Sequence, residues 1–431
     1  MRLAYIAAGA AGMYCGTCIH DNTLATALKR QGVDVALVPT YTPLRTDEED
    51  VSLNHVFYGG INVFLQQKWS IFRQTPRTLD RLLDGPRLLN SLSRFSASTS
   101  AQDLGALTVS VLEGEAGHQQ KELTRLVAWL RDDFKPDVVQ LTNAMFAGMG
   151  RQLKSELGVP VLCGLQGEDI FLEQLIDPYK TQARDILRQR AQDIDAFIAP
   201  CTYYRNYMAD YMQVRQEKIH VVPLGLNLTG HGKSASPTTD GPKKIGYLAR
   251  VCPEKGFHLL IDAFRLLKAQ TDLGPLRLET AGYLGPRDNA YFAEQTKKIS
   301  AWGLKDSFAY HGEVDRKQKI RFLRDLHVFS MPTTYAEPKG LSVLEALANG
   351  TPVVQPEHGI FPELLEATGG GLLCKPHSAQ ALADRIAWLL RDEPLRRQLG
   401  QNGKKVVHDR FHDDATAAKT LAVYRRYTDV S

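Results

Sequence analysis

Short apolar runs alternate with segments of helical period along most of the chain. "RLAYIAA" is a nearly continuous apolar run of strand length. "TLATALKRQ" follows at helical spacing and stops at Gly32, and "VDVALVP" is again a strand-length run. "PDVVQLT", "VPVLCGL", "DAFIAPC" and "IHVVPLG" repeat the strand pattern further on. Strands separated by helices predict βαβ units, hence a parallel sheet with helices on both faces.

The alternation stops at residues 227–244, "NLTGHGKSASPTTDGPKK", where Gly, Ser, Thr and Pro are frequent and no period survives. Such a stretch is a linker or exposed loop. The pattern then restarts with "KIGYLA", a helix from Phe257, "LRLETAG", "FAYHG", "HVFSMP", "TPVVQP" and "GLLCKP". This predicts a second sheet of the same kind. The tail "DATAAKTLAVYRRYTDV" is one amphipathic helix beyond it. The expected fold class is α/β, with two doubly wound, Rossmann-like parallel-sheet domains, residues 1–226 and 227–411. A length of 431 residues, too great for one ordinary core, agrees. Doubly wound sheets bind ligands at the carboxyl ends of their strands. If those ends face each other, the site is a cleft between the domains.

Charge and cysteine content narrow the picture. A formal charge of +4 on 52 basic and 48 acidic residues gives no case for nucleic-acid binding. Six cysteines are too few for a disulfide scaffold, so a reducing cytoplasm is the simpler setting. Arg2 and the apolar run Leu3–Met13 faintly resemble a signal peptide. The single charge, the bulky Tyr14 before Cys15 and the continuation into a helix and strand favour a first β-strand. No apolar stretch is long enough to span a bilayer.

The densest chemistry lies in "YAEPKGLSVLEALANGTPVV", residues 335–354. A strand ends at Pro332, a loop follows, and a helix begins near Gly340 and stops at Asn349-Gly350. A helix N-terminus offers free N–H groups and a positive dipole end, so an anion sits well there. Gly340 allows close approach. Glu345 lies one turn in, where a carboxylate can accept ribose hydroxyls, and Glu337 in the loop can reach another part of the same ligand. Taken alone, Glu345 would read as a surface residue. A second loop, "KKIGYLARVCPEKGFHLLIDAF", puts Arg250 and Lys255 after a strand and before a helix, where two cations can neutralise a diphosphate.

Glu337 and Glu345 stand with seven residues between them in "E-x-x-G-L-x-x-L-E-A-x-A-x-G-T-P-V-V". This resembles the signature of glycosyltransferase family 4, retaining nucleotide-sugar enzymes of the GT-B fold. The resemblance implies that Glu337 contacts the donor sugar, that Glu345 holds the ribose, and that Arg250 and Lys255 bind the pyrophosphate. It also places Gly340, Leu341, Ser342 and Gly312, in "YHGEV", at the nucleotide. His311 reads as a strand-end histidine. "HVVPLGLN" resembles the interdomain crossover, and the helix of about 412–431 with Tyr424 resembles the segment that packs back on the first domain. Two departures stand out. Pro338-Lys339 replaces a Gly-Phe-like pair. Gln166, in "CGLQGEDIF", occupies the position of a histidine lining the sugar pocket. A glutamine can hydrogen-bond a hydroxyl but takes no proton near neutral pH. Glu168 and Asp169 come next as acceptor contacts, or serve as a helix N-terminal pair.

"GAAGMYCGTCIHDN" has two readings. As a glycine loop after the first strand, it puts Gly12 and Gly16 beside the ligand, and the resemblance favours this. As a metal site, Cys15 and Cys18 with Cys163 would hold zinc; small buried thiols are the plainer account. Asp193 and Asp195 precede a strand, at the wrong end of a sheet for a diphosphate-bound metal, so no metal and no other cofactor is expected. Residues 67–95 interleave Arg and Lys with Trp69, Phe72 and leucines, a basic amphipathic pattern. Plain packing or an acceptor lid is favoured there over peripheral membrane contact. The combined expectation is a metal-independent, retaining hexosyltransferase that takes a nucleoside diphosphate sugar and an unidentified acceptor. The alternatives are a GT-B-like phosphorylase or epimerase, or a sugar-nucleotide-binding protein that has lost catalysis through Gln166.

Overall fold

The computed structural model describes residues 1–9, 16–53, 56–57, 101–233 and 241–428. Gly12, Cys15 and the basic stretch 67–95 lie outside the described residues. The apolar runs form two six-stranded sheets in which every pairing is parallel. The first holds β1 (Arg2–Ala7), β2 (Asp34–Pro39), β3 (Val138–Leu141), β4 (Val161–Gly164), β5 (Ala196–Ala199) and β6 (Ile219–Val221), in the order β2-β1-β3-β4-β5-β6. The second holds β7 (Lys243–Leu248), β8 (Leu276–Ala281), β9 (Phe308–Tyr310), β10 (Val328–Phe329), β11 (Val353–Pro356) and β12 (Gly371–Cys374), in the order β12-β11-β10-β7-β8-β9.

Each sheet reverses its winding once. β1 lies between β2 and β3, and β7 lies between β8 and β10, so the chain leaves the central strand in one direction and returns on its other side. Helices cannot close over that junction from both sides, which leaves a crevice at the carboxyl ends of the two strands. The register β7–β10 pairs Val328 with Ile245 and Phe329 with Gly246, and β1–β3 pairs Leu3 with Val138 and Ile6 with Leu141.

The helices that matter for function are α1 (Gly16–Arg30), α2 (Glu168–Leu172), α3 (Thr202–Met212), α4 (Phe257–Lys268), α5 (Arg316–Arg324), α6 (Leu341–Ala348) and α7 (Asp413–Thr428). α1 reaches further back than its apolar spacing predicts. Its first turns are polar yet buried, because tertiary hydrogen bonds hold them: Asn22 bonds the backbone of Glu49 and Val51, and Thr23 bonds Glu48.

The chain forms two compact units, Met1–Pro223 with Asp414–Ser431, and Leu224–Asp413. Residues 224–226, expected in the first domain, go with the second unit. Leu226 donates its N–H to the Phe411 carbonyl and accepts from the Asp413 N–H, both at 2.9 Å. The first unit's core joins Leu3, Tyr5, Leu24, Leu28, Val35 and Leu37 to Ala417, Leu421, Val423 and Tyr424 of α7. Among the described residues no helix is long and apolar enough to cross a membrane.

Candidate functional site

The loops that leave β7 and β10 carry Arg250, Lys255, Tyr335 and Glu337 to the reversal point of the second sheet. Glycine makes this juxtaposition possible. Gly256 has φ +71°, and a Cβ there would stand 1.7 Å from the Pro332 carbonyl oxygen. Only glycine lets the turn Pro253–Lys255 lie against residues 332–334. Thr334 N–H then donates to the Glu254 carbonyl at 2.9 Å. Gly359, at φ +61°, presses on the other side: its Cβ would fall 2.4 Å from the Glu337 carbonyl oxygen, which accepts Ile360 N–H at 2.8 Å.

Glu337 is thereby fixed inside a tight polar cluster. Its Oε2 accepts from the Lys255 ammonium at 2.6 Å and from the Tyr335 hydroxyl at 2.5 Å, and Lys255 also donates to the Tyr335 oxygen. Its Oε1 accepts the N–H groups of Lys339 and Gly340 at 3.2 and 3.4 Å. Burial by itself would raise the carboxyl's pKa, but Lys255 and the Tyr335 hydroxyl outweigh it and hold it at about 2. Tyr335 is pushed well up, first by burial and then by Glu337, so it remains a phenol and a donor.

Gly340 caps α6 at φ 65°, and Leu341 and Ser342, both half-buried, open the helix. The Ser342 hydroxyl meets the Met331 sulfur at 3.4 Å. Glu345, one turn further, pairs with Lys319 of α5 at 2.5 Å, and each side chain is 8% exposed. Arg250 approaches Glu254 at 3.7 Å, while its Nε is buried without a hydrogen-bond partner among the described residues. Gly312 stands at the end of β9, its carbonyl accepting Gly282 N–H at 2.8 Å. His311 bonds Glu279 at 2.6 Å. The structure thus brings Arg250, Lys255, Glu337, Gly340, Leu341, Ser342 and Glu345 to the loops and helix around one strand junction. Sequence reasoning did not single out Tyr335 or Lys319. Lys319 had one signal: with Leu323 it lies on the buried face of α5, where an unpaired lysine would not be tolerated.

The reversal point of the first sheet is built differently. Gln166 follows β4 and turns its amide nitrogen inward, donating to Asp21 Oδ1 at 3.0 Å and to the Thr142 carbonyl at 2.9 Å. Asp21 also accepts from the Tyr5 hydroxyl at 2.7 Å and the Thr142 hydroxyl at 2.6 Å. Two oxygen acceptors settle which end of the amide is nitrogen. Gln166 is therefore tied to a buried polar network. Glu168 accepts Ala144 N–H at 2.9 Å and Gln166 N–H at 2.7 Å; Asp169 accepts the Tyr204 hydroxyl at 2.5 Å. Burial raises the pKa of both carboxyls, against the pull of these donors.

The remaining sequence candidates sort by position. Gly16 is the first residue of α1. Cys18 and Cys163 are buried, and Cys163 donates to its neighbour's carbonyl at 3.3 Å. Among the described residues, the one group of three His, Cys, Asp or Glu ligands close enough to share an ion is His412, Asp413 and Asp414, which includes neither cysteine. Asp195 braces the amino end of β4, accepting Val161 N–H at 2.8 Å and pairing with Lys154 at 2.6 Å, while Asp193 pairs with Arg151 at 3.3 Å.

Comparison with known proteins covers both units. Residues 233–406 match the family described as "Glycosyl transferases group 1", and residues 20–225 match "Glycosyl transferase 4-like domain". A Salmonella typhimurium protein named as a colanic acid biosynthesis glycosyltransferase, WcaL, is 31% identical over 287 residues, 64% of this chain and 68% of that protein. The amylovoran biosynthesis glycosyltransferase AmsK of Erwinia amylovora is 27% identical over 65% of this chain and 68% of its own length. Sucrose-phosphate synthase from Thermosynechococcus elongatus superposes over the whole of both chains with a TM-score of 0.71 at 19% identity. HepE from Anabaena, in complex with UDP and glucose, gives 0.67 at 16% identity over 98% of this chain and all of HepE.

Proposed function

Since this chain belongs to the GT-B glycosyltransferases of family 4 type, we propose that the group it moves is a hexosyl unit, taken from a nucleoside diphosphate sugar with retention at the anomeric carbon and without a divalent metal. The carrying observation is the Lys255–Tyr335–Glu337 cluster beside the N-terminus of α6, with Glu345 one turn along. Glu345 is the right distance into the helix to accept ribose hydroxyls while the diphosphate meets the N–H groups of Leu341 and Ser342. Arg250 and Lys255 supply the positive charge a metal would otherwise bring.

The charges also say how this works. Lys255 is offset by Glu337 and Lys319 by Glu345, so the two carboxylates do not repel an arriving dianion. As the bond from the anomeric carbon to the β-phosphate oxygen breaks, its electron pair leaves with the diphosphate. Lys255 and Arg250 stabilise that growing charge, a contribution of several kcal/mol in a site closed to water. The acceptor oxygen bonds the same carbon, and its proton passes to the departing phosphate oxygen. No protein base is required, which accommodates Gln166.

HepE is described in complexes with UDP and with UDP-glucose, which makes these the first probes. In a thermal-shift series over nucleoside diphosphates and their sugars, one base should stabilise the protein, by about 2.7 kcal/mol at a hundred times its Kd. Release of free nucleoside diphosphate on adding acceptor should persist in chelator, and Lys255→Ala should lower kcat by about a hundredfold or more. Activity lost in chelator and restored by magnesium would overturn the metal-free reading.

A further inference from the structure

Helix α3 carries four tyrosines in eleven residues, "TYYRNYMADYM". One of them belongs to the core: Tyr204 is buried, in line with Met208 and Met212. The other three, Tyr203, Tyr207 and Tyr211, lie four residues apart on the adjacent face and are half-buried. Their rings form a continuous row. Tyr203 and Tyr207 have centroids 6.1 Å apart at 17°, and Tyr207 and Tyr211 are 6.0 Å apart at 22°. A row of partly exposed rings on one helix face is a feature soluble surfaces ordinarily avoid.

Carboxylates hold two of the row's three rings, Tyr207 and Tyr211. The Tyr211 hydroxyl donates to Glu173 at 2.9 Å, and Asp169 accepts from Tyr204 at 2.5 Å and also engages Tyr207. Asp169 lies in the first turn of α2 at the carboxyl end of β4, and α3 begins just past β5, so the row starts at the strand-end side of the first sheet and runs back toward the amino ends of the strands as α3 returns to the parallel strand β6. Rigid rings flanked by carboxylates have a specific chemistry. A pyranose offers one apolar C–H face to a ring and its hydroxyls to a carboxylate. Rings of fixed orientation lose little freedom when they bind. A rise of about 1.5 Å per residue puts successive rings roughly 6 Å apart, comparable with the repeat of sugars along a chain. Glu173 is paired with Arg184 at 3.6 Å, a guanidinium 6.0 Å from the Tyr211 ring, and Asp169 is engaged by tyrosine hydroxyls, so the row carries little net charge, which favours a neutral glycan over a nucleic acid or an acidic chain.

We infer that the Tyr203–Tyr207–Tyr211 row, with Asp169 and Glu173, is a binding platform for a neutral oligosaccharide, and that the acceptor is therefore a glycan chain. The second half of this inference rests on the transferase reading above; the platform itself does not.

The test separates them. The full chain, without donor, is applied to an array of neutral, sulfated and sialylated saccharides of graded length. Neutral oligosaccharides should be retained over monosaccharides and over acidic chains. Tyr207→Ala and Tyr211→Ala should each weaken that binding about tenfold, whereas Tyr211→Phe, which keeps the ring, should stay within about threefold. Folding of each variant is read from its circular dichroism melt, and two alanine positions guard against one failing to fold. Absence of neutral-glycan binding by the wild type, unchanged binding by both alanine variants, or preference for acidic chains would overturn the platform. Tyrosine-dependent glycan binding in a protein that no nucleotide stabilises would uphold the platform and remove the transferase reading.

Discussion

In the second unit, Glu337 and Glu345 each rest on a lysine; in the first, Glu168 and Asp169 rest, among the described residues, on backbone N–H groups and tyrosine hydroxyls. Both sets stand at the carboxyl ends of strands in sheets of similar winding. Yet Glu337 is held at about pKa 2, whereas burial raises Glu168 and Asp169. Fold alone therefore does not set the electrostatics of a strand-end crevice. A lysine brought from elsewhere converts a buried carboxylate into a fixed ion pair suited to a charged ligand. Without one, the carboxylate is a strong acceptor suited to neutral hydroxyls.

The comparison can be broken at its strongest point first. Lys319→Met should strand the Glu345 carboxylate in a buried site and cost about 3–5 kcal/mol in denaturant unfolding at pH 7. Adding Glu345→Leu should recover much of that loss, since removing both charges removes the stranded one. If the single variant is as stable as the wild type, the pair is not what holds α5 to α6.

Glu337→Gln should cost less, about 3 kcal/mol at pH 7, and the cost should depend on pH. The folded pKa is depressed, so the carboxylate's contribution is present above the unfolded value and disappears as pH falls through about 2. Melts at neutral pH and near pH 3 should show the gap between variant and wild type narrowing on acidification. A constant gap would mean the pairing with Lys255 contributes no pH-linked stability.

Asp169→Asn should have the smallest effect, roughly 1 kcal/mol or less, and the opposite trend. With a raised folded pKa, the group's contribution is present below the unfolded value and is lost as pH rises through the folded one. The wild type should lose ground to the variant between acid and neutral pH. The same melts test this, and a variant that loses ground on the alkaline side would place Asp169 with the ion-paired carboxylates instead.

The sheet pattern was legible because most strands are apolar on both faces, as a buried parallel sheet requires, even where Gln140, Glu279 and Gln355 interrupt the runs. The start of α1 was less so: Asp21, Asn22 and Thr23 look like loop residues until Tyr5, Glu48 and Glu49 are seen to bond them. The strand read in "HVFSMP" pairs at only two residues, Val328 and Phe329, since the chain turns at once into the site loop. At the site, the spacing from Glu337 to Glu345 and the positions of Arg250 and Lys255 are local signals. The partners that give them their electrostatics are not. Lys319 lies twenty-six residues before Glu345 and meets it only because α5 packs on α6. Gln166 illustrates the same limit: as a residue type it offers a donor and an acceptor, and only the positions of Asp21 and Thr142 decide that the donor points inward.

The placement of α7 has a consequence for the order of biosynthesis. Its Tyr424 is fully buried against the core that begins at Leu3 and Tyr5. All strands of the second sheet lie earlier in the chain than α7. On a ribosome, the second unit can close once its residues to Asp413 have emerged. The first unit, though its strands are made earlier, waits with an open hydrophobic face until residue 428 or so has been released. The nascent chain is therefore exposed to chaperones and proteases chiefly through its earliest segment. A chain cut back to residue 413 should hold a protease-resistant second unit beside a protease-sensitive first one.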